Sequence, residues 1–222
     1  MNTESRTSSL LYWDERHKHY DRATIKVDDW LENFDNIIEA TEKPILDLGC
    51  GGGNDTLFLI NKGKKVISCD QSPNAIMNIA NNFPEVYDVK CFNMLDGMPF
   101  DDGEFEVIIA DLCLHYFTEE DTQKILAEIQ RILVPGGHLI LRINSVNDVL
   151  HGAGHGIEIE HHLFEMEDKS IKRFFDEDDI RYFFKDFEIE YMNEEIMTRY
   201  SLEKRLYRVC VRKNQSQYRP SD

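Results

Sequence analysis

The sequence predicts an α/β chain built on a doubly wound, mostly parallel sheet, with helices on both faces and an antiparallel hairpin closing it late. Three observations predict it. Short apolar strands alternate with segments of helical period between residues 44 and 143, the pattern of a parallel sheet joined by helical crossovers. A glycine cluster stands between the first of those strands and the helix that follows. The last third of the chain instead carries two alternating segments with no helix between them.

The elements follow in order. Asp28 and Asp29 precede Trp30, Leu31, Phe34, Ile37 and Ile38, one apolar face at helical spacing. Pro44 precedes the strand Ile45-Leu46-Asp47-Leu48, and residues 56–61 form the next helix, closed by Gly63 where a left-handed residue is needed. Lys65 to Cys69 is a strand ending at Asp70. Ser72 and Pro73 then supply the N-cap and first residue of a helix reaching Asn82. Val86 to Phe92 is a weaker strand. Phe105 to Ala110 is continuously apolar, as a strand covered on both faces must be. Thr118 caps a helix with Asp121 at its third position and a stripe of Ile125, Leu126, Ile129, Ile132 and Leu133. Pro135-Gly136-Gly137 is expected to end that helix, and His138 to Ile143 is the next strand. A helix over 176–184 and strands over 187–192 and 206–212 complete the chain.

No repeat or linker interrupts this series, so one domain is expected over 1–222. It comprises N-terminal cap helices (1–43), a core (44–143), a lid (144–170) and a closing helix with strands (171–222). The lid assignment rests on a Gly-, His- and Glu-rich stretch without clear periodicity.

Composition narrows the function. With 41% hydrophobic and 11% aromatic residues, 222 residues suffice for a sizeable core. No apolar run approaches the roughly 20 residues that span a bilayer. The first ten residues lack the basic-then-apolar order of a secretory signal. A cytoplasmic protein without a membrane partner is expected. Cys50, Cys69, Cys91, Cys113 and Cys210 are odd in number and widely spaced, which fits buried free thiols better than disulfides or zinc knuckles. The net charge is −17, and residues 144–200 hold fifteen acidic and six basic side chains. Nucleic acid is disfavoured as a partner, because its phosphates seek Lys and Arg. A small neutral or cationic substrate is favoured. No residue pattern specifies an oligomeric state.

The most informative segment is ILDLGCGGGNDT, residues 45–56. Gly49, Gly51 and Gly53 lie between strand and helix, where absent β-carbons permit a tight turn and close approach of a ligand. Asp70 ends the next strand, 21 residues after Gly49, where an acid accepts hydrogen bonds from ribose hydroxyls. The dinucleotide fingerprint G-x-G-x-x-G fails in both registers, since its last position falls on Asn54 or Thr56.

Asp47-x-Gly49-x-Gly51-x-Gly53 resembles motif I of class I S-adenosylmethionine-dependent methyltransferases. VISCD at Asp70, the run from Phe92 to Phe117 and ILVPGGHLILRI resemble the later motifs in order and distance. The resemblance implies a Rossmann-like fold with S-adenosylmethionine as cofactor. It places the backbone from Gly49 through Cys50 and Gly51 to Gly53 against the methionine part, with Asp47 supporting the loop or the amino group. Asp70 takes the ribose hydroxyls, and Gln71 beside it is a further cofactor-binding residue. Asn93-Met94 takes the adenine position, with Asp96 as a rival, and Asp111 and Leu112 lie near the sulfonium and its amino group. Tyr12-Trp13-Asp14 resembles the leading helix of small-molecule methyltransferases, with Trp13 over the cofactor. The tail and ADLCLHYF weakly resemble tellurite-resistance-type and related bacterial methyltransferases.

Methyl transfer needs a nucleophile in line with an activated methyl group, and a base only when that nucleophile carries a proton. His115, just past the fourth strand, is the candidate base, with Tyr116 beside it; both residues also fit a packing role. The stretch from His151 to His162 offers histidine and carboxylate ligands, but its three glycines break helical ligand spacing, so no metal is expected. The expected function is transfer of a methyl group to a small molecule. A protein or peptide methyltransferase and a non-catalytic cofactor-binding module are the alternatives.

Overall fold

The computed structural model describes residues 3–18 and 22–215. The cap and closing segments expected at 1–43 and 171–222 therefore include positions 1–2, 19–21 and 216–222 that lie outside the described residues. The elements run α1 (Thr3–Arg16), α2 (Asp35–Ala40), β1 (Ile45–Leu48), α3 (Asn54–Asn61), β2 (Val66–Asp70), α4 (Pro73–Asn82), β3 (Asp88–Cys91) and β4 (Phe105–Asp111). They continue with α5 (Glu119–Ile132), β5 (Leu133–Asn144), β6 (Ile157–Glu160), β7 (Leu163–Glu165) and β8 (Ile171–Arg173). Helix α6 (Glu177–Phe183) and strands β9 (Phe187–Met197) and β10 (Lys204–Lys213) follow.

Seven strands form one sheet in the order β3-β2-β1-β4-β5-β10-β9. The first five are mutually parallel, and β10 is antiparallel to both β5 and β9. The late hairpin thus adds to the β5 edge. Strand order reverses between β1 and β4, and a crevice outside the carboxyl ends of the strands at such a switch point is where open α/β sheets bind ligands. Here those ends are Gly49 and Asp111.

Alternation along the central strands feeds two apolar layers. Ile45, Val66, Val107, Ile109 and Ile140 pack with Trp30, Leu31, Phe34, Ile38, Phe58 and Leu59 on one face. Leu46, Leu48, Ile67, Ile108, Leu139 and Leu141 pack with Ile125, Ile129, Ile180 and Phe183 on the other. The two caps the sequence predicts form, Ser72 accepting from the Ala75 N–H and Thr118 from the Asp121 N–H; a reciprocal capping box between Asp176 and Asp179, not foreseen, starts α6. No helix among the described residues is long and apolar enough to cross a membrane.

Four expectations change. The segment after Asp28 becomes helical only at Asp35, after a 3-10 turn over Glu32–Phe34. Tertiary contact overrides periodicity there, for the Trp30 indole donates to Asp55 at 2.8 Å. Pro135-Gly136-Gly137 does not terminate α5, which ends at Ile132. It bulges within β5, whose pairing passes from Phe105↔Leu133 to Val107↔His138. The stretch 144–170, expected to lack regular structure, carries β6 and β7. With β8 they form a separate antiparallel sheet in the order β6-β7-β8. Cys91 is exposed rather than buried, because β3 is the outermost strand.

Candidate functional site

The glycine loop is held by its own backbone and by one acid. The N–H groups of Gly49 and Cys50 both donate to the Cys69 carbonyl, at 2.8 and 2.9 Å, tying the loop to the end of β2. Gly49 has φ +74°, and a β-carbon there would lie 2.6 Å from that of Cys113. The ends of β1 and β4 therefore meet without space for a side chain. Gly51 N–H donates to Asp70 at 3.0 Å, and Ser72 N–H to the other Asp70 oxygen at 2.9 Å.

Asp47 sits beneath the loop, 1% exposed, accepting from the Thr56 hydroxyl at 2.5 Å. Burial, reinforced by the charges of Asp111 and Asp70, pushes its carboxyl up to about 7 against the lowering effect of Thr56. Asn93 caps a short turn over Met94–Asp96: its oxygen accepts from Leu95 N–H at 2.9 Å, and its amide donates to Gln71 at 3.0 Å. Gln71 and Asn93 are thus locked together beside Asp70. Met94 stands next to Gly49, 3.6 Å from where a β-carbon would be, whereas Asp96 is solvent-exposed.

Asp111 is less available than the sequence implies. Its carboxylate pairs bidentately with Arg142 at 2.6 and 2.6 Å and accepts from Arg199 at 3.1 Å. Asp28 pairs with the same two arginines. Leu112 takes φ +54°, a left-handed conformation uncommon for a leucine, of the kind that concentrates at functional sites.

His115 is 2% exposed, and its Nδ1 has no hydrogen-bond partner. Burial, with Lys204 and Lys172 nearby, drives its pKa well below the usual imidazole value, so the ring is neutral at pH 7. The Tyr116 ring lies 4.2 Å away, and burial pushes its phenol far up, so it is a hydroxyl and not a phenolate. Trp13 meets Tyr116 edge-on at 5.2 Å and stacks on His17 at 5.8 Å. Helix α1 is docked there by Asp14, which accepts from Ser72 Oγ and Asn74 N–H at 2.8 and 2.9 Å.

The predicted residues fall in three groups at the carboxyl ends of the central strands, linked through α1: Asp47, the loop and Asp70; Gln71, Asn93 and Met94; and Trp13 with His115 and Tyr116. Asp111 is turned into the arginine pair. Sequence reasoning missed His17, whose Nε2 lies 3.4 Å from a β-carbon placed on Gly51. Its signal was present, four residues after Trp13 on one helical face. Asp28, Arg142 and Arg199 had none, being far apart in sequence.

Residues 46–141 match the family model described as a methyltransferase domain. An uncharacterized methyltransferase of Synechocystis sp. is 33% identical over 104 residues, 47% of this chain and 48% of the relative. The chain spans about half the length of the curated relatives it matches. Among solved structures, a methyltransferase from Methanosarcina mazei superposes with TM-score 0.69 at 22% identity, covering 86% of this chain and all of that one. The Burkholderia thailandensis 1,6-didemethyltoxoflavin-N1-methyltransferase, holding its substrate and S-adenosylhomocysteine, gives 0.68 at 17% identity over 96% and 88%.

Proposed function

We propose that this chain, a member of the class I S-adenosylmethionine-dependent methyltransferase superfamily, transfers a methyl group to a small-molecule acceptor held between Trp13, His115 and Tyr116. One observation carries the reading: a buried, neutral imidazole with an unpartnered nitrogen stands beside Tyr116, at the switch point bounded by the glycine loop. A polar atom desolvated without a partner costs stability of about 1–3 kcal/mol, which a bound acceptor would relieve.

The residues fit the superfamily's cofactor. Each Asp70 oxygen spends one lone pair on a backbone N–H, leaving capacity for ribose hydroxyls. Gly51 leaves the backbone bare beneath His17, and Gln71, Asn93 and Met94 line the side where adenine belongs. When bound, S-adenosylmethionine supplies a methyl group on a positively charged sulfur. The chain's work is then positioning and exclusion of water. Trp13 covers the crevice from α1, and Tyr116 offers a hydroxyl donor that orients the acceptor. His115 accepts the proton of a hydroxyl or amine nucleophile; a soft sulfur, selenium or tellurium nucleophile needs no such step.

The acceptor is a small neutral or cationic molecule on two grounds. The net charge of −17 repels polyanions. Residues 149–151 and 196–202 expose Val149, Leu150, Tyr200 and Leu202, and the His151 and Tyr200 rings lie 5.8 Å apart, so an apolar rim joins these two segments. The segment 144–170 acts as the lid. Just beyond it, the Arg173 N–H donates to the His115 carbonyl at 2.7 Å and so ties β8 to the segment that carries His115.

Incubation with S-adenosylmethionine and a panel of small amines, thiols and phenols, with S-adenosylhomocysteine read by mass spectrometry, tests the proposal. Turnover should depend on the acceptor. For a protonated nucleophile, His115→Ala should lower turnover about 10²-fold or more while cofactor affinity stays within twofold. Equal loss of binding and turnover would return His115 to a packing role.

A further inference from the structure

The paired histidines of the β6–β7 turn are not used by the methyl transfer proposed above. They lie in the stretch where helical spacing gave no metal site, but the fold brings Asp179 of α6 to them. His162 Nδ1 is 2.7 Å from one Asp179 oxygen, and His161 Nε2 is 3.7 Å from the other. One ligand atom from each residue can be chosen so that all three lie within 4.8 Å of one another.

We propose that His161, His162 and Asp179 bind one divalent transition-metal ion of the zinc class, and that the ion clasps the β6–β7 turn to α6. Two imidazoles and one carboxylate form a donor set suited to zinc, whereas calcium and magnesium take oxygen ligands. In a tetrahedral zinc site with bonds near 2.0–2.1 Å, neighbouring donors sit roughly 3.3–3.4 Å apart. With Asp179 ligating through the oxygen that faces His162, that contact must open by about 0.6 Å, and His161, which now faces the other oxygen, must swing toward the same one. An ion also lies in the plane of each ring that ligates it, while these two rings stack at 3.8 Å with 27° between planes. His161 therefore has to turn out of the stack, and at 73% side-chain exposure it has room to do so. Asp179 is the fixed partner: it is buried, and its carboxylate also accepts from Asp176 N–H at 3.1 Å. Water completes the coordination.

The clasp would reach the crevice through hydrogen bonds already in place. Arg173 Nη1 donates to the His161 carbonyl at 2.6 Å, and Glu160 receives both Arg173 and the N–H of Glu119. Since Arg173 also binds the His115 carbonyl, an ion on the turn stiffens the flap beside that loop. The site is independent of which acceptor is methylated.

The test titrates zinc alone into the metal-free 222-residue chain, in competition with a chromogenic chelator, and repeats it with cobalt to read the visible bands of a tetrahedral complex. One ion per chain is expected. His161→Ala and His162→Ala should each weaken it by roughly tenfold or more, while His151→Ala and His155→Ala leave it unchanged. Asp179→Asn also disturbs the α6 cap, so the two histidine variants are the decisive ones. His161→Ala should keep the metal-free melting temperature, which separates lost ligation from lost folding. Absence of a stoichiometric ion, or wild-type affinity in either His161→Ala or His162→Ala, would overturn the proposal.

Discussion

Replacing Arg142 with methionine removes the buried central cation of a partly buried four-residue network and keeps most of the side chain's volume. Arg142 is 2% exposed, binds both Asp111 oxygens, reaches Asp28 at 2.8 Å and lies 4.4 Å over the Trp30 ring. Breaking a buried ion pair by deleting one partner costs about 3–5 kcal/mol, because the other charge stays desolvated. Two features push this case to the lower end. Arg199 retains its contacts with Asp111 and Asp28, and a cleft of about 120 Å³ lined by Asp28, Arg142 and Arg199 admits water. A loss of about 3 kcal/mol is expected, or about 6–12 °C in Tm for a chain of this size. Denaturant unfolding at pH 7 measures it.

The pH dependence follows from Asp111. Burial alone would raise its pKa, but Arg142 and Arg199 outweigh burial and hold it below the ordinary 3.8. A depressed carboxylate contributes stability above its unfolded pKa and loses it as pH falls through the folded value. The gap between wild type and Arg142→Met should therefore be widest near neutrality and narrow below about pH 4. Combining Arg142→Met with Asp111→Asn should cost less than the sum of the two single changes. A loss under about 1 kcal/mol, or strict additivity, would refute the reasoning.

Two further outcomes are expected. Gly53→Ala should cost about 2–4 kcal/mol in denaturant unfolding, from a left-handed backbone plus overpacking, since its φ is +85° and a β-carbon would lie 2.6 Å from Ile79. Gly63→Ala, at φ +74° with nothing within 4 Å, should cost about 1–2 kcal/mol, and an equal cost at both would contradict the contact argument. Hydrogen exchange should be faster at amides 150–162 than in β1 and β4 and should slow when cofactor and acceptor bind; protection matching the central strands without ligand would remove the lid.

The fold was legible where local signals and burial agree. Ser72-Pro73, Thr118 with Asp121, and the apolar run of β4 each state an element and its boundary within a few residues. The small sheet was not legible, because its strands span three or four residues and β6 is mostly exposed. A strand that buries no face leaves little trace in hydrophobic patterning. Near the candidate site, the loop glycines were readable because their left-handed backbone demands glycine, and Asp70 because an acid stood at a strand end. The Asp28–Asp111–Arg142–Arg199 network was not, since its members come from four distant segments and surface charges look the same in sequence. Asp111 was expected near the sulfonium and its amino group, and its pairing with Arg142 and Arg199 was not foreseen.

Calorimetric titration of the 222-residue chain with S-adenosylmethionine, S-adenosylhomocysteine and NAD tests the central claim most directly. Both sulfur ligands should bind at one site per chain with similar, roughly micromolar affinity, and NAD should give no heat. Asp70→Ala should weaken both sulfur ligands by about 2–4 kcal/mol, the worth of two hydrogen bonds to a charged acceptor. Tight NAD binding with no response to S-adenosylmethionine, or full S-adenosylmethionine affinity in Asp70→Ala, would contradict the assignment of the Gly49–Gly53 loop and Asp70 to this cofactor.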